Sequence, residues 1–500
     1  LNTDINSNLE VIESSLTEIN TSINELDINN SGINSNITSL NTDINSNLEV
    51  IESSLTEINT SINELDINNS GINSNLTTIN NTLENLEVNI PGTTTTTPIE
   101  TQLDAFGRLR ISNPYTLYEN NNIYSKNSLY VDEYISGTNA TITYQYSNSA
   151  VILSSQDNGD KLIRQSHQYM NYQPGKSLLI YATGVLNPQG NNESNVSTFI
   201  GYFDDENGVY FKHNNGKLYV SIRSNTSGTV ENREVIQTEW NIDTMDGSGP
   251  SGIILDASKT QILYMDIEWL GVGTVRTGVI IDGQYYLVHK FHHANNRENV
   301  YMTTPNLPLR YEINAIGNSN TQGSLMEICG TIISEGGFTP TGLNFSATNT
   351  SLVSMPKNTE RALVAIRLKE EFKRAYNSLR AFQVLLTTTN NLVIYKLRKY
   401  RNVNNITNLF SSGYTFTSVS DDSIMEYTLN PTFNTIDVFD NNIILEGFAT
   451  SQTPELNNHH QGLFLSSNIT GSRDIMVLTA TSLNDNNIEL LGTISWIEHI

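Results

Sequence analysis

The sequence predicts a mainly β chain: a parallel, trimeric α-helical coiled coil at the N-terminus, followed by two antiparallel β-sandwich, jelly-roll-like head domains. Three observations predict it. A 39-residue tandem repeat carries Leu and Ile at alternating three- and four-residue spacing. Past a Thr- and Pro-rich segment the apolar period drops to two. From there Asn-Gly and Asp-Gly pairs separate short apolar runs, the pattern of antiparallel hairpins. The expected boundaries are 1–90 for the helical stalk, 91–105 for a linker, 106–338 for the first sandwich and 339–500 for a second β-rich domain.

Residues 1–36 recur without a change at 40–75. Leu9, Ile12, Leu16, Ile19, Ile23 and Leu26, then Ile33, Ile37 and Leu40, fall on one face of a helix. The repeat is five heptads plus four residues, and the extra four show as successive four-residue steps through Leu40, Ile44 and Leu48, a stutter that locally unwinds a supercoil. The stripe resumes at Ile51, Leu55, Ile58, Ile62 and Leu65 and runs on to Ile90. At about 1.5 Å per residue a continuous helix of this length spans roughly 130 Å.

Leu9/Ile12 and Leu16/Ile19 place Leu at a and Ile at d, which disfavours a parallel dimer, whereas Ile23/Leu26 has the dimer-like order; three strands is the compromise. Asn30 and Asn69 occupy a positions, where a buried amide fixes register at some cost in stability. The competing reading is that Asn29-Asn30-Ser31-Gly32 and its copy at Asn68 to Gly71 interrupt the helix, since Gly inside one costs about 1 kcal/mol. No Lys or Arg occurs from Leu1 to Pro98, so interchain salt bridges cannot form there and assembly must rest on the apolar seam.

Composition narrows the function. Apolar residues make up 37%, below the roughly 45–50% of an average globular chain, with Asn, Ser and Thr filling the deficit. A formal charge of −25 argues against nucleic acid as a partner. The single cysteine, Cys329, rules out a disulfide framework within one chain. No apolar run approaches the roughly 18–20 residues of a membrane span, so membrane insertion is not expected. The chain opens at Leu1 and not at Met, which leaves room for an upstream segment. One stretch is locally basic: Arg361 to Arg401 carries ten basic residues against only Glu370 and Glu371.

Pro91-Gly92, Thr93 to Thr97 and Pro98 stop any helix. Beyond them Phe199 to Phe203, Val209 to Phe211 and Leu218 to Ile222 read as a meander turning at Asn207-Gly208 and Asn215-Gly216. Ile262 to Trp269, Thr274 to Ile281 and Tyr285 to Phe291 form a second series, with a turn at Asp282-Gly283. Gly336-Gly337, Pro340 and Gly342 mark the boundary between two sandwiches. Within Val364 to Leu397, Phe372, Tyr376, Leu379 and Phe382 have helical spacing while Val364, Ile366 and Leu368 alternate, which predicts strands flanking a short helix.

No constellation predicts catalysis, a metal or a cofactor. Gly271-Val272-Gly273 is read as a tight strand connection, since no helix follows as a dinucleotide loop requires. Asp204-Asp205-Glu206-Asn207-Gly208 opens like a calcium loop but lacks the later bidentate Glu and is read as a hairpin turn. His289, His292 and His293, like His459 and His460, lack ligand spacing and are read as solvated loop histidines. Aromatic rings stack on sugar faces while amides and carboxylates take hydroxyls, so Trp240, Trp269, Tyr285 and Tyr286 are the candidate glycan contacts, weighed against a place in the core. The basic strip around Lys369, Lys373, Arg374, Lys396, Arg398 and Lys399 offers a second surface, for acidic glycans or an acidic neighbour, against a solvated strand face.

The run Phe106-Gly107-Arg108-Leu109-Arg110-Ile111-Ser112-Asn113-Pro114-Tyr115-Thr116-Leu117 resembles a motif of virion structural proteins of tailed phages and large DNA viruses. Asn171 to Lys176, Gly201 to Asp205, Glu268 to Gly273 and Thr304 to Glu312 extend the resemblance in the same order, over about 106–337. The resemblance implies a fibre-like structural protein of the virion surface and transfers no functional residue. A trimeric coiled coil ahead of a β-rich head is likewise similar to viral attachment fibres. The expected function is therefore a virion fibre: a homotrimer whose stalk meets other virion proteins and whose head meets host-surface glycans. A purely structural virion protein, a cell-surface adhesin and a tail-spike hydrolase are the alternatives.

Overall fold

The computed structural model describes residues 2–25, 31–64, 113–190, 195–315, 322–387, 391–401, 409–411, 414–434, 443–450, 463–484 and 488–499. The chain divides into two compact units, Leu1–Thr96 and Thr97–Ile500.

In the first unit the predicted periodicity yields two helices, α1 (Asn2–Glu25) and α2 (Ser31–Glu64). Helix α2 runs unbroken through Leu40, Ile44 and Leu48, so the stutter sits inside continuous helix. Ser31 and Gly32 open α2, so Gly32 stands in the first turn of that helix and not in its interior. Leu26, Asn29, Asn30, Leu65 and Asn69 lie outside the described residues, as do the side chains of Ile19, Ile23, Ile58 and Ile62. Polar β-branched and hydroxyl residues are accommodated by back-bonding: Thr17 donates to the Glu13 carbonyl at 2.7 Å and Thr56 to Glu52 at 2.8 Å. Leu9, Leu16, Leu48, Ile51 and Leu55 are half-buried and Ile12 is 46% exposed, so in the single chain the stripe stays at the surface.

The second unit holds two sandwiches. Among the described residues, the first pairs an eight-stranded with a seven-stranded antiparallel sheet. The eight-stranded sheet comprises β1 (Tyr115–Asn121), β3 (Thr141–Gln145), β4 (Ala150–Ser155), β6 (Leu178–Val185), β11 (Gln261–Ile267), β12 (Val275–Ile281), β13 (Gln284–Phe291) and β15 (Gly323–Ser334). The seven-stranded sheet comprises β2 (Val131–Ser136), β5 (Lys161–Ser166), β7 (Val196–Phe203), β8 (Gly208–Asn214), β9 (Lys217–Ser224), β10 (Glu231–Ile236) and β14 (Leu309–Ala315). Alternate residues of the two inner faces make one core, Ile180, Ala182, Leu263 and Met265 from one sheet meeting Ile200, Tyr202, Phe211 and Val220 from the other.

The predicted turns close these hairpins. Asn215 and Gly216 have φ of +48° and +72°, and Asp282 and Gly283 +52° and +75°, the paired left-handed conformation that matches strand twist. Asp204 to Asn207 also forms a hairpin loop, in which the Asp204 carboxylate accepts the Glu206 and Asn207 amides, each at 2.8 Å.

The second sandwich sets a four-stranded sheet against a six-stranded one among the described residues. The former holds β16 (Leu343–Thr348), β17 (Val353–Met355), β19 (Asn377–Leu386) and β25 (Ile488–Glu498); the latter holds β18 (Glu360–Leu368), β20 (Leu392–Tyr400), β21 (Thr417–Ser418), β22 (Met425–Leu429), β23 (Ile443–Thr450) and β24 (Ile475–Ser482). Leu363, Phe382, Ile494 and Trp496 are buried in its core. The predicted short helix is corrected here to a single 3-10 turn at Glu370–Phe372. Leu379 and Phe382 instead lie in β19, where residues at i and i+3 reach one core because the register with β25 shifts between Leu379 and Ala381.

The basic strip is not a solvated face. Arg398 forks onto Glu360 at 2.6 and 2.8 Å, Lys373 pairs with Glu370 at 3.3 Å, and Lys369 donates to the Ser420 carbonyl at 3.1 Å. Arg374 and Lys399 reach carboxylates at the junction of the sandwiches, Asp204 at 2.8 Å and Asp474 at 2.9 Å. Lys373, Arg374, Lys396, Arg398 and Lys399 each face a carboxylate within the chain.

Candidate functional site

Strands β6, β11, β12 and β13 carry buried side chains on both faces, and the face turned away from the core, where Asp266 and Arg276 pair beside apolar residues, carries the candidate site. Register places Thr183, Ile262, Ile280 and Tyr285 in one row across the four strands, and Tyr181, Tyr264, Gly278 and Leu287 in the next. Tyr181 and Tyr285 share a hydroxyl hydrogen bond of 2.5 Å, and Tyr264 meets Tyr285 edge-on with centroids 5.3 Å apart. Gly278 makes room for this cluster, because a Cβ there would collide with the Tyr264 ring and the Tyr286 carbonyl. Leu179, Tyr264 and Leu287 are buried by these neighbours, without help from the opposite sheet.

Beside the tyrosines runs a groove of about 590 Å³. Its floor is Thr183, Ile262 and Ile280; Ile254, Asp256, Lys259, Gln261 and Asp282 stand around it. Ile254 is 72% exposed and Ile262 40%, an unusual openness for side chains of this size. Hydrogen bonds from the Ser258 hydroxyl and amide keep the Asp256 carboxyl below its ordinary range, so it is ionised. The groove thus joins an apolar floor to the Asp256 and Asp282 carboxylates, the Lys259 ammonium group and the Gln261 carboxamide, whose Nε2 donates to the Asp256 carbonyl at 2.8 Å, a set suited to a polyhydroxylated ligand with one apolar face.

The outer face of the seven-stranded sheet is arranged differently. Phe199, Phe203 and Tyr210 cluster there, but Arg223 and Arg310 cover Phe203 at 5.4 Å each, and Lys212 lies 5.7 Å over Phe199. Burial would raise the Asp205 carboxyl, yet Arg310 and Lys161 outweigh it and hold the carboxyl down at about 2. The rings and charges of this face are already occupied with one another.

The predicted glycan contacts divide. Tyr285 pairs with Ile280, which lines the groove, but does not itself line it. Tyr286 faces the opposite way, half-buried against the core. Trp240 is a correction: it is 4% exposed, lies edge-on to Phe211 between the sheets, and cannot meet a ligand, because the segment after β10 folds inward over the core. Trp269 is half-buried, its indole donating to the Met302 carbonyl at 3.2 Å, and serves packing.

The histidines are a second correction. His289 and His293 are buried, and burial pushes both down to about 4; His289 accepts the Asn241 amide, and His293 stacks on Tyr301 at 4.1 Å with its Nδ1 on the Gly273 carbonyl. His292 is exposed, while His459 and His460 lie outside the described residues. Among the described residues no three His, Cys, Asp or Glu side chains gather as a metal would need.

Four of the recurrent runs meet one another. Tyr172 lies edge-on to Trp269 at 5.9 Å and its amide donates to Asn306 at 2.9 Å. The Tyr202 hydroxyl donates to the Pro305 carbonyl at 2.7 Å and accepts the Leu307 amide at 3.1 Å, and Arg310 pairs with Asp205 at 2.9 Å. These segments tie the connections of the two sheets together, a structural role. Phe106 to Ser112 lie outside the described residues.

Sequence reasoning missed Ile254, Asp256, Lys259, Gln261, Ile262 and Ile280. The available signal was Gln261 to Ile267, apolar at almost every position although its hairpin partners belong to a sheet with one free face.

No family model matches the chain, and no curated protein matches it. Among solved structures, an endo-1,3-beta-glucanase from Streptomyces sioyaensis matches at 9% identity and a TM-score of 0.30, over 45% of this chain and 97% of that one. Lectin I-B4 from Griffonia simplicifolia matches at 13% identity and a TM-score of 0.27, over 45% and 99%. The CBM2 module of the evolved Dit of Lactobacillus casei BL23 phage J-1 matches at 6% identity and a TM-score of 0.27, over 44% and 96%. Likeness of this degree assigns no activity.

Proposed function

We propose that the chain is a homotrimeric fibre of a virion surface, in which the helical stalk joins other virion proteins and the β-rich head binds host-surface glycans. The observation that carries the reading is the duplicated Leu/Ile stripe, which lies along α1 and α2 and, among the described residues, has no fully buried member. Partners for it are copies of itself, since seam residues repeated at one spacing match one another in parallel. The groove beside Tyr285 is the glycan contact, and its shallow, open form suits weak sugar binding multiplied by three copies. The reading is one of binding and not of catalysis; on the other outer face Asp205 is held strongly acidic, the opposite of a proton donor.

The full chain on an array of host-derived glycans tests the head. Alanine at Gln261 and Lys259 is expected to weaken retention about tenfold, corresponding to about 1.4 kcal/mol, while Lys217→Ala, at the exposed start of β9, leaves it unchanged. Silence on host glycans and on whole host cells counts against attachment. Release of reducing ends from host polysaccharide would replace it with a hydrolase.

A further inference from the structure

At the junction of the two sandwiches one histidine faces two carboxylates. His167, just past β5, has its Nδ1 2.8 Å from Asp132 of β2 and its Nε2 2.7 Å from Asp474, which precedes β24 in the second sandwich. All three side chains are buried. A neutral imidazole carries one N–H and one lone pair, so it can satisfy one of these carboxylates and must turn its lone pair on the other. The doubly protonated ring satisfies both.

The surrounding charges come from every element packed on the ring. Arg401, just past β20, pairs with Asp132 across the junction and donates to the Ser128 and Leu129 carbonyls at 2.8 and 3.0 Å. Lys399 of β20 holds Asp474 at 2.9 Å and lies 4.5 Å over the Phe464 ring, which is itself 6.1 Å from His167. The Ser466 amide donates to Asp474 at 3.1 Å, and the His167 amide to the Tyr130 carbonyl at 2.8 Å. Neighbouring Glu133 is engaged by Arg164 and Lys126, at 2.6 Å each.

We propose that His167 is a protonation-dependent latch that fixes the second sandwich to the first and lets the joint loosen as the medium turns alkaline. Burial disfavours the imidazolium, but Asp474 and Asp132 outweigh it and raise the ring above its ordinary value. Stabilisation from a raised group is present in full below the unfolded value and is lost as pH rises through the folded one. On the acid side burial would raise Asp474, but Lys399 and His167 hold its carboxyl down, so the latch survives until pH falls through that depressed range.

The test uses the full chain with Cys329→Ser and spin labels at Lys217→Cys and Asp422→Cys, exposed sites on the two sandwiches. Nitrogen NMR of labelled histidine follows the ring in parallel. The expected result is a His167 midpoint above about 6.5, with a narrow label-to-label distance below it and a broadened one above. Asp474→Asn should move the midpoint down, and His167→Gln should give the broad distribution at every pH. A ring that stays neutral between about pH 5 and pH 9, or a distance that stays narrow through its titration, overturns the latch; the unmutated titration decides even where His167→Gln fails to fold.

Discussion

Asparagine at Leu9, Leu16, Leu48 and Leu55 together is expected to leave the chain monomeric in sedimentation, with the helical signal of the leading segment lost and the β-rich remainder intact. Each Leu buried in a seam contributes about 1.5–3 kcal/mol, so the twelve leucines of the proposed three-chain seam forfeit at most roughly 18–36 kcal/mol. Nothing local compensates. With no Lys or Arg before Pro98, α1 and α2 have no i,i+4 ion pairs, and a helix of such polarity leans on its partners. The stalk of the proposed trimer should also gain thermal stability as salt rises, because its charged side chains are all acidic. A fourfold variant that sediments like the parent would show that another surface joins the copies.

Glu327→Ala is expected to cost the first sandwich about 3–5 kcal/mol. Arg164 is fully buried and spends its whole guanidinium: on Glu327, on Glu133 at 2.6 Å, on Asn122 at 3.0 Å and on the Lys126 carbonyl at 2.6 Å. Glu327 also accepts Asn120 at 3.0 Å, so β1, β2, β5 and β15 converge on one pair. Removing the acid strands a charge that water cannot reach, whereas Arg164→Met with Glu327→Leu removes both charges and should recover much of the loss. Urea unfolding followed by fluorescence reads this directly, since Trp240 and Trp269 report on the first sandwich and Trp496 on the second. Equal midpoints for the single and double variants would place the loss in packing.

The parts legible in the sequence are those written in short-range patterns. The helical stripe, the Asn215-Gly216 and Asp282-Gly283 turns and the Gly271-Val272-Gly273 connection all follow from local chemistry. Trp240 and the histidines at 289 and 293 were misread because their burial depends on loops that fold back across a sheet, which no period encodes. The basic strip failed for a related reason: Glu360 answers Arg398 from 38 residues away and Asp204 answers Arg374 from the other sandwich. Ile262 and Ile280 look like core in the sequence, and only strand order reveals that their face of the sheet is open.

The two copies at 1–36 and 40–75 are identical, and this leaves parallel chains with an ambiguity of alignment. A strand slipped by one copy still sets each Leu and Ile of 40–75 against its equivalent in 1–36, yet its tip then trails its neighbours by about 58 Å. Such a staggered bundle would be helical but would not bring the three tips of the proposed fibre into one plane. The residues after Asn75, where Leu76 replaces Ile37 and the duplicated text ends, are therefore where flush alignment has to be decided.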